Sequence, residues 1–447
     1  MDDLPPPLLL EILTRLNSSV DLARCRLASK ALSAISAEVR SINLLCSFDR
    51  YTKSRLPSTQ PLVTPFKEIV TNLVVSKSSH VDSVSIGVEK PLGGLPFDDV
   101  EDESDDLYLC DVGFLGEWLP SVCARLRSIE ISDFWIQSCW RRSEVLSLIS
   151  SCCHSLHKLE LKNAWLSADG LNAMPMLTSL TLEFIRLDDE DLSKVNSCFP
   201  SLQILNLIGV GGIKEPKIHL LHLRECQWAA SNAPLSLTIL APNLIKLKLE
   251  CVKPRSLVID APVLSDFHLS IEKASNLVVK DFRDLKTLYV ESPCLYTLFG
   301  QFRYGRSIKS LTVDSSKWAQ SAEMADFNLE RLLDAFPNAQ SLTLGPGSWL
   351  ETSTCFHSGG SGVSIVGTKE ITAHLSVKDV ESTLSLILFV LERCAKLTEM
   401  ALLIPREVES TAANNLRSRC MAHSARVRWR WGFWKEGMED AWVTDGI

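Results

Sequence analysis

The chain has 447 residues, of which 46% are hydrophobic and 22% are charged, and its formal net charge at pH 7 is -8. This length exceeds one ordinary hydrophobic core, so we expect either several domains or an elongated repeat architecture. No uncharged apolar run approaches the roughly 20 residues of a membrane-spanning helix, and the negative charge disfavours nucleic acid as a partner, because phosphate binding depends on clustered Lys and Arg.

The 14 cysteines show no spacing typical of a disulfide framework. The apolar run near the N-terminus is also unlike an export signal, because Asp2 and Asp3 precede it and Glu11 and Arg15 interrupt it. We therefore expect a reducing compartment, the cytoplasm or the nucleus or both, in which the cysteines are mostly buried thiols.

The first forty residues predict three short helices. The first helix starts after the prolines of "LPPPLLLEILTRL" and ends at Asn17. A second helix, "VDLARCR", is capped by Ser18 or Ser19, and "ASKALSAISAEV" forms a third. Such a small bundle buries too little surface to be comfortably stable alone.

The apolar arc of the first helix is unusually wide for a surface helix. Leu8 and Ile12 lie on one side, and Leu9, Leu13 and Leu16 lie on a neighbouring side. One side can serve the core of the bundle itself, so the other needs a cover. That cover is either the rest of this chain or a second protein.

Most of the remaining chain repeats one pattern: apolar, two residues, apolar, one residue, apolar. A period of roughly 20 to 29 residues with this core is the signature of a leucine-rich repeat, in which a short strand turns its apolar residues inward and neighbouring units stack. Clear copies begin at Leu156, Leu177, Leu202, Leu244, Leu264, Leu285 and Ile308, weaker copies begin at Val81, Leu126, Ala339 and Leu397, and "IHLLHL" from Ile218 is the copy assigned to the long gap after Leu202.

The fold class predicted from this pattern is α/β: a short helical domain followed by a curved leucine-rich-repeat solenoid with a parallel inner sheet. Segments such as "DEDLSKVNSCFP" and "FNLERLLDAFP" predict helices on the convex side. Between about 235 and 300 the units are too short for a full helix, so short strands are expected there instead.

Four domains are predicted. Residues 1–42 form the helical domain, and 43–125 form irregular first repeats with a solvated acidic loop at 97–106. Residues 126–425 form the regular solenoid, with a flexible Gly/Ser-rich insertion around 352–366. Residues 426–447 form a C-terminal capping segment.

No motif predicts catalysis, a cofactor or a metal. Cys152, Cys153, His154 and His157 are close in sequence, but a zinc site of ordinary type needs a second ligand pair, and none of matching spacing is present. The two histidines of "HLLHL" are assigned to one strand, where a three-residue step places their rings on opposite faces.

The segment "RVRWRWGFW" near the C-terminus alternates cations with apolar residues, which is typical of a strand with one aromatic and one cationic face. Arg426, Arg428 and Arg430 face outward in this prediction. The segment is interpreted either as a strand that closes the last repeat or as a binding site built from Arg and Trp, residue types that are frequent at interface hot spots.

The residues between the inward leucines are predicted to project from the concave face, the surface best placed to hold a target protein. They mix both charges with hydroxyls and aromatic rings, which suits a protein better than a polyanion. The predicted target-binding residues are Glu160, Thr181, Asn206, Lys248, His268, Tyr289, Thr312 and Thr343.

The N-terminal segment resembles an F-box, whose pattern has a Leu-Pro start, an Ile-Leu pair with a Leu three residues later, an Asp-Leu, and a Cys-Arg-x-x-Ser-Lys block. Together with the repeats, the chain resembles the plant F-box/leucine-rich-repeat proteins, although the late Trp of the F-box pattern is absent. The matching positions are Leu4, Pro5, Leu8, Ile12, Leu13, Leu16, Leu22, Cys25, Arg26, Ser29 and Lys30.

This resemblance implies a non-catalytic substrate receptor of an SCF-type cullin ubiquitin ligase. The F-box would bind a Skp-family adaptor, and through it a cullin, while the repeats would hold a target protein for ubiquitination. The alternative is a leucine-rich-repeat scaffold without a ligase role, whose helical bundle only caps the first repeat. The adaptor-facing residues implied by the resemblance are Leu4, Pro5, Leu8, Ile12, Leu13, Leu16, Leu22, Cys25 and Arg26.

Overall fold

The computed structural model describes most of the chain, in two compact units, Met1–Asn232 and Ala233–Ile447. The domain boundaries predicted from sequence stay a prediction. The described residues are 4–16, 18–56, 58–77, 80–89, 105–134, 141–230, 234–272, 276–280, 282–299, 305–315, 329–355, 367–377, 379–424 and 426–443.

The first unit begins with the predicted helical bundle and continues as strands that alternate with helices. Ser18 caps the second helix, since its hydroxyl accepts hydrogen bonds from the N–H groups of Val20 and Asp21. The helices are α1 Pro6–Thr14, α2 Ser19–Ala28, α3 Lys30–Ile35, α4 Phe48–Arg55, α5 Phe66–Ser76, α6 Val112–Val122, α7 Val145–Cys152 and α8 Asp189–Cys198.

The strands of the first unit form a parallel sheet in the order β1-β2-β3-β5-β6-β7-β9, and β4 pairs with the end of β5. The strands are β1 Ser41–Cys46, β2 Ser83–Val88, β3 Ser128–Ser132, β4 Arg142–Ser143, β5 Lys158–Leu166, β6 Ser179–Arg186, β7 Ile204–Val210, β8 Lys217–His219 and β9 Glu225–Ala230.

The second unit has a parallel sheet in the order β11-β13-β15-β16-β17-β18-β19-β20, and β21 is antiparallel to β20. The strands are β10 Ser236–Leu240, β11 Lys246–Cys251, β12 Ser256–Asp260, β13 Asp266–Ile271, β14 Asn276–Lys280, β15 Thr287–Glu291, β16 Ser310–Asp314, β17 Ser341–Leu344, β18 Glu370–His374, β19 Glu399–Pro405, β20 Arg428–Trp434 and β21 Ala441–Trp442. The helices are α9 Leu295–Phe299, α10 Leu329–Ala335, α11 Pro346–Cys355, α12 Val380–Arg393 and α13 Ser410–His423.

The leucine pattern sets which side of each strand faces the core. In β5, Leu159 and Leu161 are fully buried, and their neighbours in β6, Leu180 and Leu182, are in register with them. Burial of each such side chain contributes roughly 1.5–3 kcal/mol. The predicted α/β leucine-rich-repeat fold is therefore confirmed.

The flanking elements also follow the prediction. The helices expected in "DEDLSKVNSCFP" and "FNLERLLDAFP" are α8 and α10. In the segment between 235 and 300, where a full helix does not fit, β10, β12 and β14 form a second parallel sheet. The switch from helix to strand therefore follows from the length of each repeat.

One repeat copy was assigned to the wrong residues. The strand that pairs with β7 is β9, with Cys226 opposite Leu205 and Trp228 opposite Leu207. The copy in this gap is therefore "LRECQW", from Leu223, in which Cys and Trp occupy inward positions where most other copies carry Leu, Ile or Val. The assignment of both histidines of "HLLHL" to one strand is also wrong: β8 ends at His219, and His222 lies in the following turn.

Two predicted loops lie largely outside the described residues. Of the acidic loop, residues 97–104 are outside, and Asp105–Leu107 form a short 3-10 helix. The Asp106 carboxylate accepts hydrogen bonds from the N–H groups of Phe66 and Lys67, so it caps α5. Of the predicted insertion, residues 356–366 are outside, and 352–355 belong to α11.

The turn after β7 requires glycine. Gly212 has φ +90°, and a Cβ there would lie 2.4 Å from the carbonyl oxygen of Leu187, a backbone atom that cannot move aside. We expect Gly212→Ala to lower the free energy of unfolding by about 3 kcal/mol, because steric overlap adds to the left-handed strain. Urea denaturation measures the change.

Gly437 provides the matched control. It also has a positive φ, +74°, but no atom lies within 4 Å of the position of its Cβ. Gly437→Ala should therefore lower stability by only about 1 kcal/mol, the conformational strain alone. Equal losses in the two variants would contradict the role assigned to the Leu187 carbonyl.

Candidate protein-binding surfaces

The three N-terminal helices close a small core of their own. Leu9 and Leu13 of α1 pack in one buried cluster with Leu22 of α2, Leu32 of α3 and Val39. Ser29 caps α3 by accepting a hydrogen bond from the N–H of Leu32. The apolar residues at helical spacing thus bring the helices together, as the sequence predicts.

The opposite side of α1 presents apolar side chains to solvent. Leu8 is 48% exposed and Ile12 is 41% exposed, and their four-residue spacing places them on one face of α1. Leu4, two residues before α1 begins, is 38% exposed. We call this set the apolar face. Large apolar side chains that are exposed together are of the kind that marks interaction sites.

The adaptor-facing residues implied by the family resemblance fall into three groups in the structure. Leu13 and Leu22 are buried in the bundle core, so they support the surface without offering an exposed side chain. Leu16 and Cys25 are half-buried at its edge. The exposed members are Leu4, Pro5, Leu8, Ile12 and Arg26.

Two exposed apolar residues of α2 were missed. Val20 is 46% exposed and Leu27 is 91% exposed. They are seven residues apart, two helical turns, and therefore share a face of α2. That spacing is visible in the sequence and could have identified them.

The bundle is also joined to the repeats. The N–H of Asn43 in β1 donates a hydrogen bond to the Ser19 hydroxyl at 2.9 Å, and Val39, just before β1, belongs to the bundle core. The bundle thus packs at the first strand and still leaves the apolar face open. Packing against the rest of this chain and binding to a second protein, the two alternatives considered from sequence, are therefore compatible.

In the first unit, the polar residues between the inward leucines are aligned in register. Glu160, Thr181 and Asn206, three of the predicted target-binding residues, are direct neighbours on β5, β6 and β7, and the Asn206 amide donates to the Thr181 hydroxyl at 3.1 Å. The structure therefore places them in one row. The full row is Asn43, Ser85, Glu130, Glu160, Thr181, Asn206 and Gln227.

A lysine at the centre of this surface forms ion pairs with three carboxylates. The Lys162 Nζ lies 2.7 Å from Glu160, 3.4 Å from Glu183 and 3.6 Å from Glu130. Partial burial acts to raise the pKa of Glu160, but the hydrogen bond and charge of Lys162, with the charge of Lys158, hold that pKa below its ordinary value. The network therefore favours the ionised carboxylate.

Removal of this lysine should destabilise the first unit in a pH-dependent way. Because the pKa of Glu160 is depressed in the folded state, the stabilisation is present above the ordinary pKa of a glutamate and is lost as pH falls through the depressed pKa. We expect Lys162→Met to cost about 1–3 kcal/mol at pH 7, where three carboxylates lose the cation that they share, and much less at a pH that protonates Glu160. Thermal unfolding across this pH range measures the effect.

The matched control for this network is the double variant Lys162→Met/Glu160→Gln, which removes one of the repelling charges. It should recover part of the stability lost at pH 7. A cost of Lys162→Met that is the same at both ends of the pH range would contradict an electrostatic role.

In the second unit, the other five predicted residues are also aligned. Lys248, His268, Tyr289, Thr312 and Thr343 lie in register on β11, β13, β15, β16 and β17, and Thr372 of β18 continues the row. Whether either row binds a target stays a prediction.

An aromatic pair occupies the middle of this second row. The His268 and Tyr289 rings are stacked with centroids 3.9 Å apart. Burial, with the nearby carboxylates of Glu291, Asp314 and Glu250, raises the pKa of Tyr289, so its hydroxyl stays protonated at neutral pH. The pair therefore offers two stacked aromatic rings, with the tyrosine in its neutral form.

The Arg/Trp segment forms the closing strand of the second unit. Val427 and Trp431 are buried, and Trp429 stacks with Trp431 at a centroid distance of 6.0 Å. The Arg430 guanidinium is held between Glu399, at 3.2 Å, and the ring of Trp442 in β21, at 4.5 Å. Arg430 therefore fastens the terminal hairpin to the sheet, which favours the closing role.

The Cys/His cluster does not resemble a metal centre. Burial raises the pKa of the Cys153 thiol, which disfavours the thiolate that a metal would need. The His157 ring lies 2.7 Å from the Ser155 carbonyl. Among the described residues no three His, Cys, Asp or Glu side chains are grouped for a metal ion, and no described helix is long and apolar enough to cross a membrane.

Comparison with known proteins gives one family. No family model matches the chain. An F-box/LRR-repeat protein of Arabidopsis thaliana is 51% identical to it over 450 aligned positions, which cover 99% of this chain and 100% of the relative. Identity at this level over nearly the full length of both chains indicates a shared fold and shared organisation.

Proposed function

The chain belongs to the plant F-box/LRR-repeat proteins, and from that membership we propose that it is a non-catalytic substrate receptor of an SCF-type cullin ubiquitin ligase. In this proposal the N-terminal bundle binds a Skp-family adaptor, the adaptor joins it to a cullin, and the repeats hold a target protein. The proposed location is the cytoplasm, the nucleus or both.

The apolar face of α1 is the observation that carries the proposal. The core of the bundle is filled by Leu9, Leu13, Leu22, Leu32 and Val39. Packing inside the bundle therefore does not explain why Leu4, Leu8 and Ile12 are apolar. Exposure of such side chains is unfavourable in an isolated protein and is relieved when a partner covers them. An adaptor that covers the apolar face explains why these three exposed residues are apolar as well as the residues of the core.

The target is assigned to the polar rows of the two sheets. Parallel strands of stacked repeats display side chains at a constant spacing of about 4.8 Å, so they form an extended, rigid binding surface. The rows combine hydroxyls, an aromatic stack and paired charges, which are features of protein recognition. In the first unit, Lys162 links the carboxylates of Glu160 and Glu183, which lie on neighbouring strands of that surface.

Co-expression with a Skp-family adaptor and a cullin tests this function. The full chain should copurify with both partners through gel filtration as one species. A chain that elutes alone, while folded by circular dichroism, would overturn the ligase proposal and favour a scaffold whose bundle only caps the repeats.

A further inference from the structure

Three lysines of the second unit stand in a line at the entry of neighbouring strands. Lys286, Lys309 and Lys369 each immediately precede a strand, and Gln340 holds the same position between the last two. Backbone hydrogen bonds of 2.8 Å connect these positions. The carbonyl of Lys286 accepts from the N–H of Lys309, the carbonyl of Lys309 from the N–H of Gln340, and the carbonyl of Gln340 from the N–H of Lys369. We call the three lysines the lysine ladder.

The lysines of the ladder are exposed to solvent. All three side chains are exposed, and within the described ranges none of the three ammonium groups has an ion-pair or hydrogen-bond partner. Lys286 and Lys309 precede neighbouring strands, which are about 4.8 Å apart, and like charges this close repel each other. The arrangement therefore carries a repulsion that an anionic partner would relieve.

The ladder runs beside the polar row of the same sheet. Lys286, Lys309 and Lys369 are each three residues upstream of a row residue, Tyr289, Thr312 and Thr372 respectively. At about 3.3 Å per residue, the ladder and the row are roughly 10 Å apart. The ladder therefore lies at the start of the same strands whose middle positions carry the row.

From this geometry we propose that the lysine ladder is a docking site for a short acidic segment of a protein partner, with Asp or Glu side chains that pair with the ammonium groups. The inference rests on the proposed function, since the partner is then the target held for ubiquitination. It adds a chemical class: targets with an acidic segment.

A protein segment fits the ladder better than nucleic acid. The site offers few cations, the exposed carboxylates Asp284 and Glu370 lie next to it in sequence, and the whole chain has a net charge of -8. A long polyanion meets repulsion beyond the ladder, whereas a short acidic stretch matches its extent.

Fluorescence anisotropy of the full-length chain tests the site, with a labelled polyglutamate peptide of about eight residues as the probe. We expect binding that weakens as salt is added. Lys286→Glu/Lys309→Glu should weaken it roughly tenfold or more, because two attractive pairs become repulsive. The matched control is Lys214→Glu/Lys217→Glu, which makes the same charge change at two exposed lysines of the first unit.

Equal weakening by the two double variants would overturn the site, since only net charge would then matter. Equally tight binding of an oligothymidylate of the same charge would overturn the assignment to a protein segment. The ladder variant should still copurify with the adaptor. Loss of peptide binding with the adaptor retained therefore separates failure at this site from failure of the ligase proposal.

Discussion

Leu8→Lys/Ile12→Lys abolishes copurification with a Skp-family adaptor and leaves the melting temperature of the chain nearly unchanged: this is the largest effect that we expect. The two side chains lie on the apolar face, outside the bundle core. Each would contribute roughly 1.5–3 kcal/mol when buried by a partner, and a lysine placed there must be desolvated. Binding should weaken at least hundredfold, as measured by titration calorimetry.

A second double variant controls for added charge. Leu62 and Leu221 are 83% and 57% exposed and lie outside the bundle, so Leu62→Lys/Leu221→Lys makes the same chemical change elsewhere. It should bind the adaptor like the unmodified chain. If Leu8→Lys/Ile12→Lys also bound normally while folded, the apolar face would have no part in adaptor binding.

The largest expected loss of stability is at Asp133, at the end of β3. Its buried carboxylate accepts hydrogen bonds from the N–H groups of Leu109, Cys110 and Phe134, at 2.8, 2.9 and 2.9 Å. Asp133→Ala leaves these buried donors without their acceptor, at about 1–3 kcal/mol each when no water replaces it. We expect the free energy of unfolding to fall by about 3–5 kcal/mol, measured by urea denaturation.

Asp133→Asn separates the hydrogen bonds from the size of the side chain. The amide oxygen can still accept, but the amide nitrogen would face an N–H group, so an intermediate loss is expected. If Asp133→Asn lowered the free energy of unfolding as much as Asp133→Ala, the stabilisation would come from the negative charge of Asp133. A negligible loss in both would contradict the anchoring role.

The repeat fold is largely readable from sequence because each strand depends on the same local rule. Leu, Ile and Val at the inward positions identify most strands, and the distance to the next copy determines whether a helix fits between them. The rule fails at β9, where Cys226 and Trp228 take the inward positions. A search for leucine alone cannot find that strand, although a period of 21 residues from Leu202 ends at Leu223.

The candidate surfaces are predictable only in part. Helical spacing separates Leu8 and Ile12 from Leu9 and Leu13, but it does not show that Leu22 is buried while Leu27 is exposed, because that depends on how three helices pack. Lys162 forms ion pairs with Glu130, Glu160 and Glu183, which lie on three strands that are far apart in the sequence. Such contacts follow from sheet register, which only the structure provides.

Hydrogen exchange of the full-length chain, with and without a Skp-family adaptor, tests the central claim most directly. Backbone amides buried by a partner exchange more slowly, and each protected peptide can be located in the sequence. We predict protection within residues 4–30, strongest in α1 around Leu8 and Ile12, and unchanged exchange in the strands of both units. Protection confined to the repeats, or none at an adaptor concentration that saturates other F-box proteins, would contradict the account.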